Sequence, residues 1–207
     1  IGSAIVPSGA STGTHEAHEL RDTNEKYLNK SVLNAVENIR VKILPALKTR
    51  SAYDQREIDK KMIELDGTSN KSSLGANAIL AVSIANCKAA AISQKKEIYV
   101  YLSKTQKYTL PYPMLNIING GAHANNSLQI QEFMIRPDGA KSFSECMQMS
   151  FLVIQQLKKI LNQKKLSTSV GDEGGFAPSL DSDQHALDLI IQAIEKSGFV
   201  PGKDFNL

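Results

Sequence analysis

The stretch LNIINGGAHANNSLQIQEFMIRP, residues 115–137, decides how the second half of the chain folds. It begins with a short apolar run, passes through the glycine pair Gly120-Gly121 and a polar loop, and then alternates apolar and polar residues over 128–135. A short apolar run and a period-two pattern are both typical of β-strands, and the glycine-containing loop between them indicates a turn. The stretch therefore predicts two successive strands that form a hairpin.

Helices dominate the sequence after this hairpin. Ser142 and Glu145 have the spacing of a capping box, which predicts the start of a long helix over 143–164. A third short strand is predicted over 167–170, and a last helix over about 183–197. The order strand, strand, helix, strand, helix is typical of an α/β architecture.

The sequence before the hairpin predicts mainly helices as well. Apolar spacings of three and four predict a helix from Ser31 onward, which Pro45 is expected to kink or end. A second helix is predicted to begin at a capping box at Asp54, and a third, rich in alanine, over 73–93. Residues 1–7 are predicted to be the end of a strand.

Composition and charge bound the possible functions. The chain has 207 residues, 42% hydrophobic and 22% charged, which are the values of an ordinary globular protein. A net charge of +3 and 6% aromatic residues argue against nucleic-acid binding, and no apolar run approaches the length of a membrane span. Cys87 and Cys146 are predicted to be buried free thiols, which suits a reducing cytosol.

Three glycine-containing polar loops follow or adjoin the predicted strands, namely residues 8–13, 120–126 and 171–178. Such turns let backbone amides face an anion, although each loop alone is better explained as a tight connection. Asp172 and Glu173 lie in the last loop, where capping of a turn is the alternative to catalysis. His123 in the middle loop could be a phosphate donor, an acid or a metal ligand, or could only stabilise its loop.

Glu132 is the carboxylate that the strand pattern singles out. It shares a predicted strand face with Ile130 and Met134, so we expect its side chain to point inward. A buried carboxylate needs a partner or a function. A structural ion pair with Arg136 or with a lysine is as plausible as a catalytic role.

Four long strings together are specific enough to indicate a family. They occur in order along nearly the whole chain: VPSGASTGTHEAHELRD at 6–22, MIELDGTSNKSSLGANAILAVS at 62–83, the stretch at 115–137 quoted above, and VGDEGGFAPSL at 170–180. These strings closely resemble enolase, the phosphopyruvate hydratase family, in wording most like its bacterial branch. That family interconverts 2-phosphoglycerate and phosphoenolpyruvate in glycolysis.

The resemblance implies a fold and a setting. The fold is an α+β N-terminal domain followed by an α/β barrel that opens ββαα. Because Pro111 and Pro113 make the best boundary, we assign residues 1–108 to the first domain and 109–207 to the opening part of the barrel. The family also implies a cytoplasmic homodimer or larger homo-oligomer with two Mg²⁺ ions in each complete active site.

The resemblance further implies roles for single residues of the barrel part. Glu173 would be the acid that protonates the departing 3-hydroxyl, and Glu132 would support it as a second catalytic residue. Gln131 and Glu132 would contact the substrate, and His123 would approach its phosphate. In the first loop, Ser11 would help bind the second Mg²⁺, and its neighbours would close over the substrate as a lid: Gly9, Ala10 and Thr12.

Other parts of the family's active site correspond to positions after Leu207. These are the three carboxylate ligands of the tightly bound Mg²⁺, the lysine base, and a lysine and a serine that hold the substrate; the family's first strands would precede Ile1. We therefore expect a piece of an enolase that is inactive by itself. The alternative is a non-catalytic binding or structural protein that reuses an enolase scaffold, but the intact site residues weigh against it.

Overall fold

The computed structural model describes residues 1–9, 11–103, 105 and 107–207. The chain divides into two compact units, Ile1–Lys107 and Tyr108–Leu207. Each unit has its own cluster of buried apolar side chains.

The described part of the first unit contains five α-helices. They are α1 (Leu33–Asn38), α2 (Leu44–Leu47), α3 (Gln55–Asp66), α4 (Ala76–Ser93) and α5 (Ile98–Leu102). Four large side chains that are at most 3% exposed lie at the centre of the unit: Ile43, Ile58, Met62 and Leu74. The spacing of four predicted for α3 corresponds to its buried face, where Ile58 and Met62 lie, whereas Val36 of α1, which the predicted face also included, is 39% exposed.

Pro45 does not end the first helical segment. A π-helical turn, Ile39–Ile43, joins α1 to α2, and the proline occupies the first turn of α2. Proline has no N–H to donate and its ring crowds the preceding turn, so a regular α-helix cannot continue through it. A wider turn directly before a proline keeps the segment helical.

Buried carboxylates fix the ends of two helices of this unit. Asp66, the last residue of α3, accepts hydrogen bonds from the backbone N–H groups of Leu74 at 2.7 Å and Thr68 at 3.0 Å. Burial acts to raise the pKa of Asp66, but the hydrogen bond from the Thr68 hydroxyl, followed by the backbone N–H bonds, outweighs burial and holds the pKa below its ordinary value. Asp22 receives the Ser31 hydroxyl and the first backbone N–H groups of α1, and the Ser31 bond contributes most to lowering the pKa of Asp22.

Helix α4 contacts α1, α3 and α5, as its many small residues predicted. It is 18 residues long with a mean hydropathy of 1.3, so length and composition alone would let it cross a membrane, which the sequence did not lead us to expect. Its polar residues are nevertheless engaged within the unit. Asn77 bonds both the N–H and the carbonyl of Leu20, and Asn86 bonds the carbonyl of Ala52.

Residues 1–7 differ from the strand predicted for them. They belong to no strand among the described residues, and the described part of the first unit contains helices and turns only. The segment lies against α4, where Gly2 approaches the backbone of Ala85 so closely that a Cβ atom would overlap it. A strand requires a neighbouring strand for its backbone groups, and the described residues supply none here.

The second unit contains two strands and two long helices in the order β1 (Leu115–Asn119), β2 (Glu132–Ile135), α6 (Phe143–Gln163) and α7 (Asp183–Lys196). The strands pair antiparallel with an irregularity between Asn116 and Ile118. Ser142 caps α6 by accepting the N–H of Glu145 at 3.2 Å, as the capping pattern predicted. Cys146 in α6 and Cys87 in the first unit are buried and free, and burial raises the pKa of both thiols.

Two strand predictions in this unit need correction. The segment over 128–131 precedes β2 instead of belonging to it, because it folds over the glycine pair and bonds Asp183 through the N–H groups of Gln129 and Ile130. Residues 167–170 form no strand; Val170 makes only an isolated bridge to Phe176. The residue that lies beside β1 is Phe176, in a parallel bridge to Ile118.

The buried face of β2 is the one opposite to our prediction. Phe133 and Ile135 are 3% and 0% exposed and pack in the cluster that includes the buried faces of α6 and α7. Ile130 is 46% exposed and Glu132 is only partly buried. Both faces of the hairpin are partly covered, so alternation alone could not tell which one the helices pack against.

Candidate active site

The loop between the two strands holds His123 in a fixed position. Gly121–His123 form a 3₁₀ turn in which the N–H of His123 donates to the carbonyl of Gly120 at 3.0 Å. Gly121 has a φ of 51°, a left-handed conformation that glycine adopts without strain. As a result, the imidazole of His123 is 2% exposed although it lies in a polar loop.

Two carboxylates and one amide surround this imidazole. Nδ1 of His123 lies 3.6 Å from Oε1 of Glu132, and Nε2 lies 3.8 Å from Oε1 of Glu173. The Gln131 amide nitrogen is 2.5 Å from Nε2. The side chains of Glu132 and Glu173 are 27% and 39% exposed, so the cluster is closed on the histidine side and open on the carboxylate side.

The loop that carries Glu173 is tied directly to the hairpin. The N–H of Asp172 donates to the carbonyl of His123 at 3.2 Å, and Phe176 exchanges backbone hydrogen bonds with β1, donating to Ile117 at 2.9 Å and accepting from Asn119 at 2.8 Å. The N–H of Gly171 donates to the carbonyl of Gly175 at 2.9 Å. These bonds set the position of Glu173 relative to His123.

Asn119 at the end of β1 is the residue around which this loop packs. It is fully buried, its Oδ1 accepts a hydrogen bond from Asn116 at 2.5 Å, and its Nδ2 has no partner among the described residues. Both Gly171 and Gly175 touch its amide so closely that a Cβ atom at either glycine would overlap it. The two glycines are therefore required by close approach.

Asn126 adds a further tie, because its amide donates to the carbonyls of Asn119 at 2.9 Å and Pro178 at 3.1 Å. We did not predict roles for Asn116, Asn119 or Asn126 from the sequence. The available signal was polar amides in and after an apolar strand, next to a glycine pair.

The ion pair that we weighed for Glu132 is absent among the described contacts. Arg136 instead binds Asp138 with its Nε at 2.6 Å, and Asn206 donates to the same carboxylate. The Arg136 guanidinium, followed by the Asn206 amide, lowers the pKa of Asp138. The described partner of Glu132 is His123, which leaves the functional interpretation of Glu132 in place.

The predicted lid belongs to the first unit. Ser11 is exposed, Ala10 lies outside the described residues, and Gly9 and Thr12 line an open cavity of about 510 Å³ together with Glu16. Two of the other histidines, His15 and His18, belong to the first unit, and His185 belongs to the second. His15 and His18 are exposed, and His185 lies 3.5 Å from Asp181 at the start of α7.

A strand hairpin whose loops bring carboxylates to a buried histidine, followed by helices that cover one face, is an arrangement typical of the opening of an α/β barrel with its site at the strand ends. Comparison with known proteins identifies the barrel. The family models described as "Enolase, N-terminal domain" and "Enolase, C-terminal TIM barrel domain" match residues 1–102 and 107–207. The chain therefore belongs to the enolase family.

A curated relative gives the same result. The chain is 56% identical over 204 residues to the enolase of the bacterium Corynebacterium kroppenstedtii, and the aligned part covers 99% of this chain and 48% of that protein. The bacterial character of the resemblance is thus confirmed. The chain spans about half the length of the curated relative that it matches.

Proposed function

We propose that this chain supplies the proton-donating half of an active site that interconverts 2-phosphoglycerate and phosphoenolpyruvate. The observation that carries the proposal is the position of His123 between Glu132 and Glu173, at 3.6 and 3.8 Å. In this proposal Glu173 is the general acid, Glu132 supports it, and His123 and Gln131 contact the substrate. The 56% identity to a protein named enolase supports the same assignment.

The reaction explains why carboxylates are needed at this place. A base removes a weakly acidic proton from C2, next to the substrate carboxylate, and the C3–OH bond then breaks. Hydroxide is a poor leaving group, so a neutral carboxylic acid must give it a proton as it leaves. Neighbouring carboxylates favour retention of one proton between them because two negative charges at short range repel. The exposed fraction of Glu173 lets it reach a substrate in the open side of the cluster.

The family's Mg²⁺ would stabilise the negative charge that develops on the substrate. Mg²⁺ takes oxygen ligands in octahedral geometry, whereas the one group of three candidate ligands found among the described residues contains an imidazole. The described residues thus do not form a principal Mg²⁺ site. We propose that the principal Mg²⁺ ligands and the base come from outside residues 1–207, and that Ser11 contributes an oxygen to a second ion.

The cellular location and the oligomeric state that the family implies are part of the same proposal. We infer a cytoplasmic glycolytic enzyme that acts as a homodimer or larger homo-oligomer, on the strength of the family alone. A non-catalytic protein built on this scaffold would have no need to keep a buried histidine between two carboxylates.

Two assays test the proposal. The purified 207-residue chain is incubated with Mg²⁺ and 2-phosphoglycerate, and formation of phosphoenolpyruvate is followed by its absorbance. We expect no turnover, because the base and the principal metal ligands are missing; turnover above background would contradict this part. The DNA after the Leu207 codon is then read. A continuous frame that encodes acidic ligands and a lysine supports an enzyme, and a stop codon there supports a non-catalytic protein.

If the frame continues, its product allows a direct test of the acid. Glu173→Gln should lower turnover by about 10²- to 10⁴-fold, the contribution of a positioned general acid. Glu195→Gln, on the exposed side of α7, is the matched control and should leave turnover unchanged. A Glu173→Gln product with wild-type turnover would disprove the assignment.

A further inference from the structure

The segment 128–131, which folds over the glycine pair of the hairpin, is anchored at both ends. The N–H of Gly121 donates to the Leu128 carbonyl at 2.9 Å, and the N–H of Gly120 donates to the Gln131 carbonyl at 3.0 Å. Leu128 is 4% exposed, so its buried side chain fixes the start of the segment further. The two residues between these anchors depend on other contacts for their position.

Asp183, the first residue of α7, supplies those contacts. Its Oδ1 accepts the N–H of Gln129 at 3.0 Å and the N–H of Ile130 at 3.3 Å. Both residues are exposed, Ile130 by 46%, so burial of apolar surface contributes little to holding them. The half-buried carboxylate therefore joins the start of α7 to backbone groups more than fifty positions earlier in the chain.

The placement of Gln131 depends on this contact. Gln131 comes directly after Ile130, and its amide nitrogen lies 2.5 Å from Nε2 of His123. A Cβ atom at Gly120 would lie 2.4 Å from the Ile130 carbonyl oxygen, so the segment already packs on the hairpin backbone and cannot shift inward. Release of the two N–H groups by Asp183 would let the segment move outward and carry Gln131 away from the imidazole.

A carboxylate at the start of a helix also has a simpler use. A negative charge in the first turn of α7 interacts favourably with the helix dipole. That use depends on the charge of Asp183, whereas acceptance of two N–H groups depends on an oxygen atom. Asparagine separates the two uses, because its side chain has the same shape and keeps an acceptor oxygen but carries no charge.

We propose that Asp183 is a positioning residue that holds the segment 128–131 on the hairpin, so that Gln131 stays beside His123 where it contacts the substrate. Asp183 itself touches neither the substrate nor the reacting atoms and acts through the backbone of the segment. The contact of Gln131 with the substrate rests on the proposed function; the positioning by Asp183 does not.

Amide hydrogen exchange on the 207-residue chain, followed by nuclear magnetic resonance, tests the positioning. In Asp183→Ala the amides of Gln129 and Ile130 should exchange about 10- to 100-fold faster, the change expected for loss of a hydrogen bond to a charged acceptor. In Asp183→Asn they should exchange no more than about fivefold faster, because a neutral amide oxygen accepts the same bonds. Asp188→Ala is the matched control and should exchange like the wild type, since Asp188 accepts its hydrogen bond from Gln184 within α7, at 2.8 Å.

A second readout reports on Gln131 itself. The nuclear Overhauser contact between its side-chain amide and the His123 ring should weaken in Asp183→Ala and persist in Asp183→Asn and Asp188→Ala. Far-ultraviolet circular dichroism should be the same in all three variants, which shows that α7 remains folded. Wild-type exchange of the two amides in Asp183→Ala would overturn the proposal. Equal acceleration in Asp183→Asn and Asp183→Ala would also overturn it, because the charge at the helix start would then be what matters.

The outcome is separable from the proposed function. Faster exchange in Asp183→Ala together with an inactive complete product would support the positioning and sink the proposed function. Wild-type exchange in Asp183→Ala together with an active complete product would sink the positioning alone. In an active complete product, Asp183→Ala should raise KM for 2-phosphoglycerate and Asp183→Asn should not; unchanged KM and kcat in Asp183→Ala would overturn the link between this segment and the substrate.

Discussion

The most direct test of the loop that carries Glu173 is the substitution Gly171→Ala. Gly171 is not among the residues with a positive φ, so alanine is compatible with its backbone conformation and the effect is purely steric. The new Cβ would lie 2.6 Å from the carbonyl oxygen of His123, 2.9 Å from the Cβ of Asn119 and closer still to the Asn119 amide nitrogen. The His123 carbonyl oxygen and the Asn119 Cβ can move away from the new atom only if the backbone moves.

The size of the effect follows from this overlap. Overpacking of a well-packed site costs about 1–3 kcal/mol. At about 1.4 kcal/mol for each factor of ten, the hydrogen bonds that join the loop to the hairpin should open about 5- to 140-fold more often. The affected bonds are those from Asp172 to His123, from Phe176 to Ile117 and from Asn119 to Phe176.

Amide hydrogen exchange followed by nuclear magnetic resonance measures this opening residue by residue. Gly174→Ala is the matched control, because a Cβ at Gly174 meets nothing within 4 Å and its φ of 83° strains only the turn itself. We expect the Asp172 and Phe176 amides to lose protection in Gly171→Ala and to keep it in Gly174→Ala. Wild-type protection of both amides in Gly171→Ala would refute the close packing on which the position of Glu173 depends.

Three further predictions concern stability. Leu157→Ala, at a fully buried position of α6, should lower the free energy of unfolding by about 3 kcal/mol. Leu152→Ala, at an exposed position of the same helix, should lower it by no more than about 0.5 kcal/mol. Equal losses for the two variants in urea titrations would contradict the burial of Leu157. Ser142→Ala should cost about 1 kcal/mol through the lost cap, and Ser142→Asp should recover most of it in the same titration. Hydrogen bonds hold the pKa values of Asp22 and Asp66 below their ordinary values in the folded chain, so both carboxylates stabilise the first unit above the ordinary pKa of aspartate, and this stability should be lost as the pH falls through their folded pKa values. The double variant Asp22→Asn, Asp66→Asn should lose most of this pH dependence. Equal pH dependence of stability in the wild type and in the double variant would contradict the prediction.

The candidate site was only partly accessible from the sequence. The carboxylates and His123 were identified as candidates by their residue types and by the family resemblance, and the structure brings His123, Glu132 and Glu173 together. The role of Asn119 was not predicted, because it depends on the approach of a loop more than fifty residues later in the chain. No local pattern reports such an approach.

The secondary structure was also only partly predictable from the sequence. The capping of α3 by Asp54 and its end at Gly67, with a φ of 70°, were predicted because each feature is decided within one turn of chain. The prediction of a strand over 167–170 was wrong because an extended segment becomes a strand only where a partner strand lies beside it. Phe176, which does pair with β1, has no sequence pattern that sets it apart.

The sequence by itself thus determined the long helices α3, α4, α6 and α7, the caps of α3 and α6, the hairpin and the membership of the enolase family, since these depend on hydrogen bonds and patterns that are local in the chain. Only the tertiary structure decided which face of β2 is buried, which loop residue pairs with β1, and that Glu132 meets His123 instead of Arg136. The physical reason is that these contacts join residues far apart in sequence, where several pairings satisfy the same pattern and packing selects one.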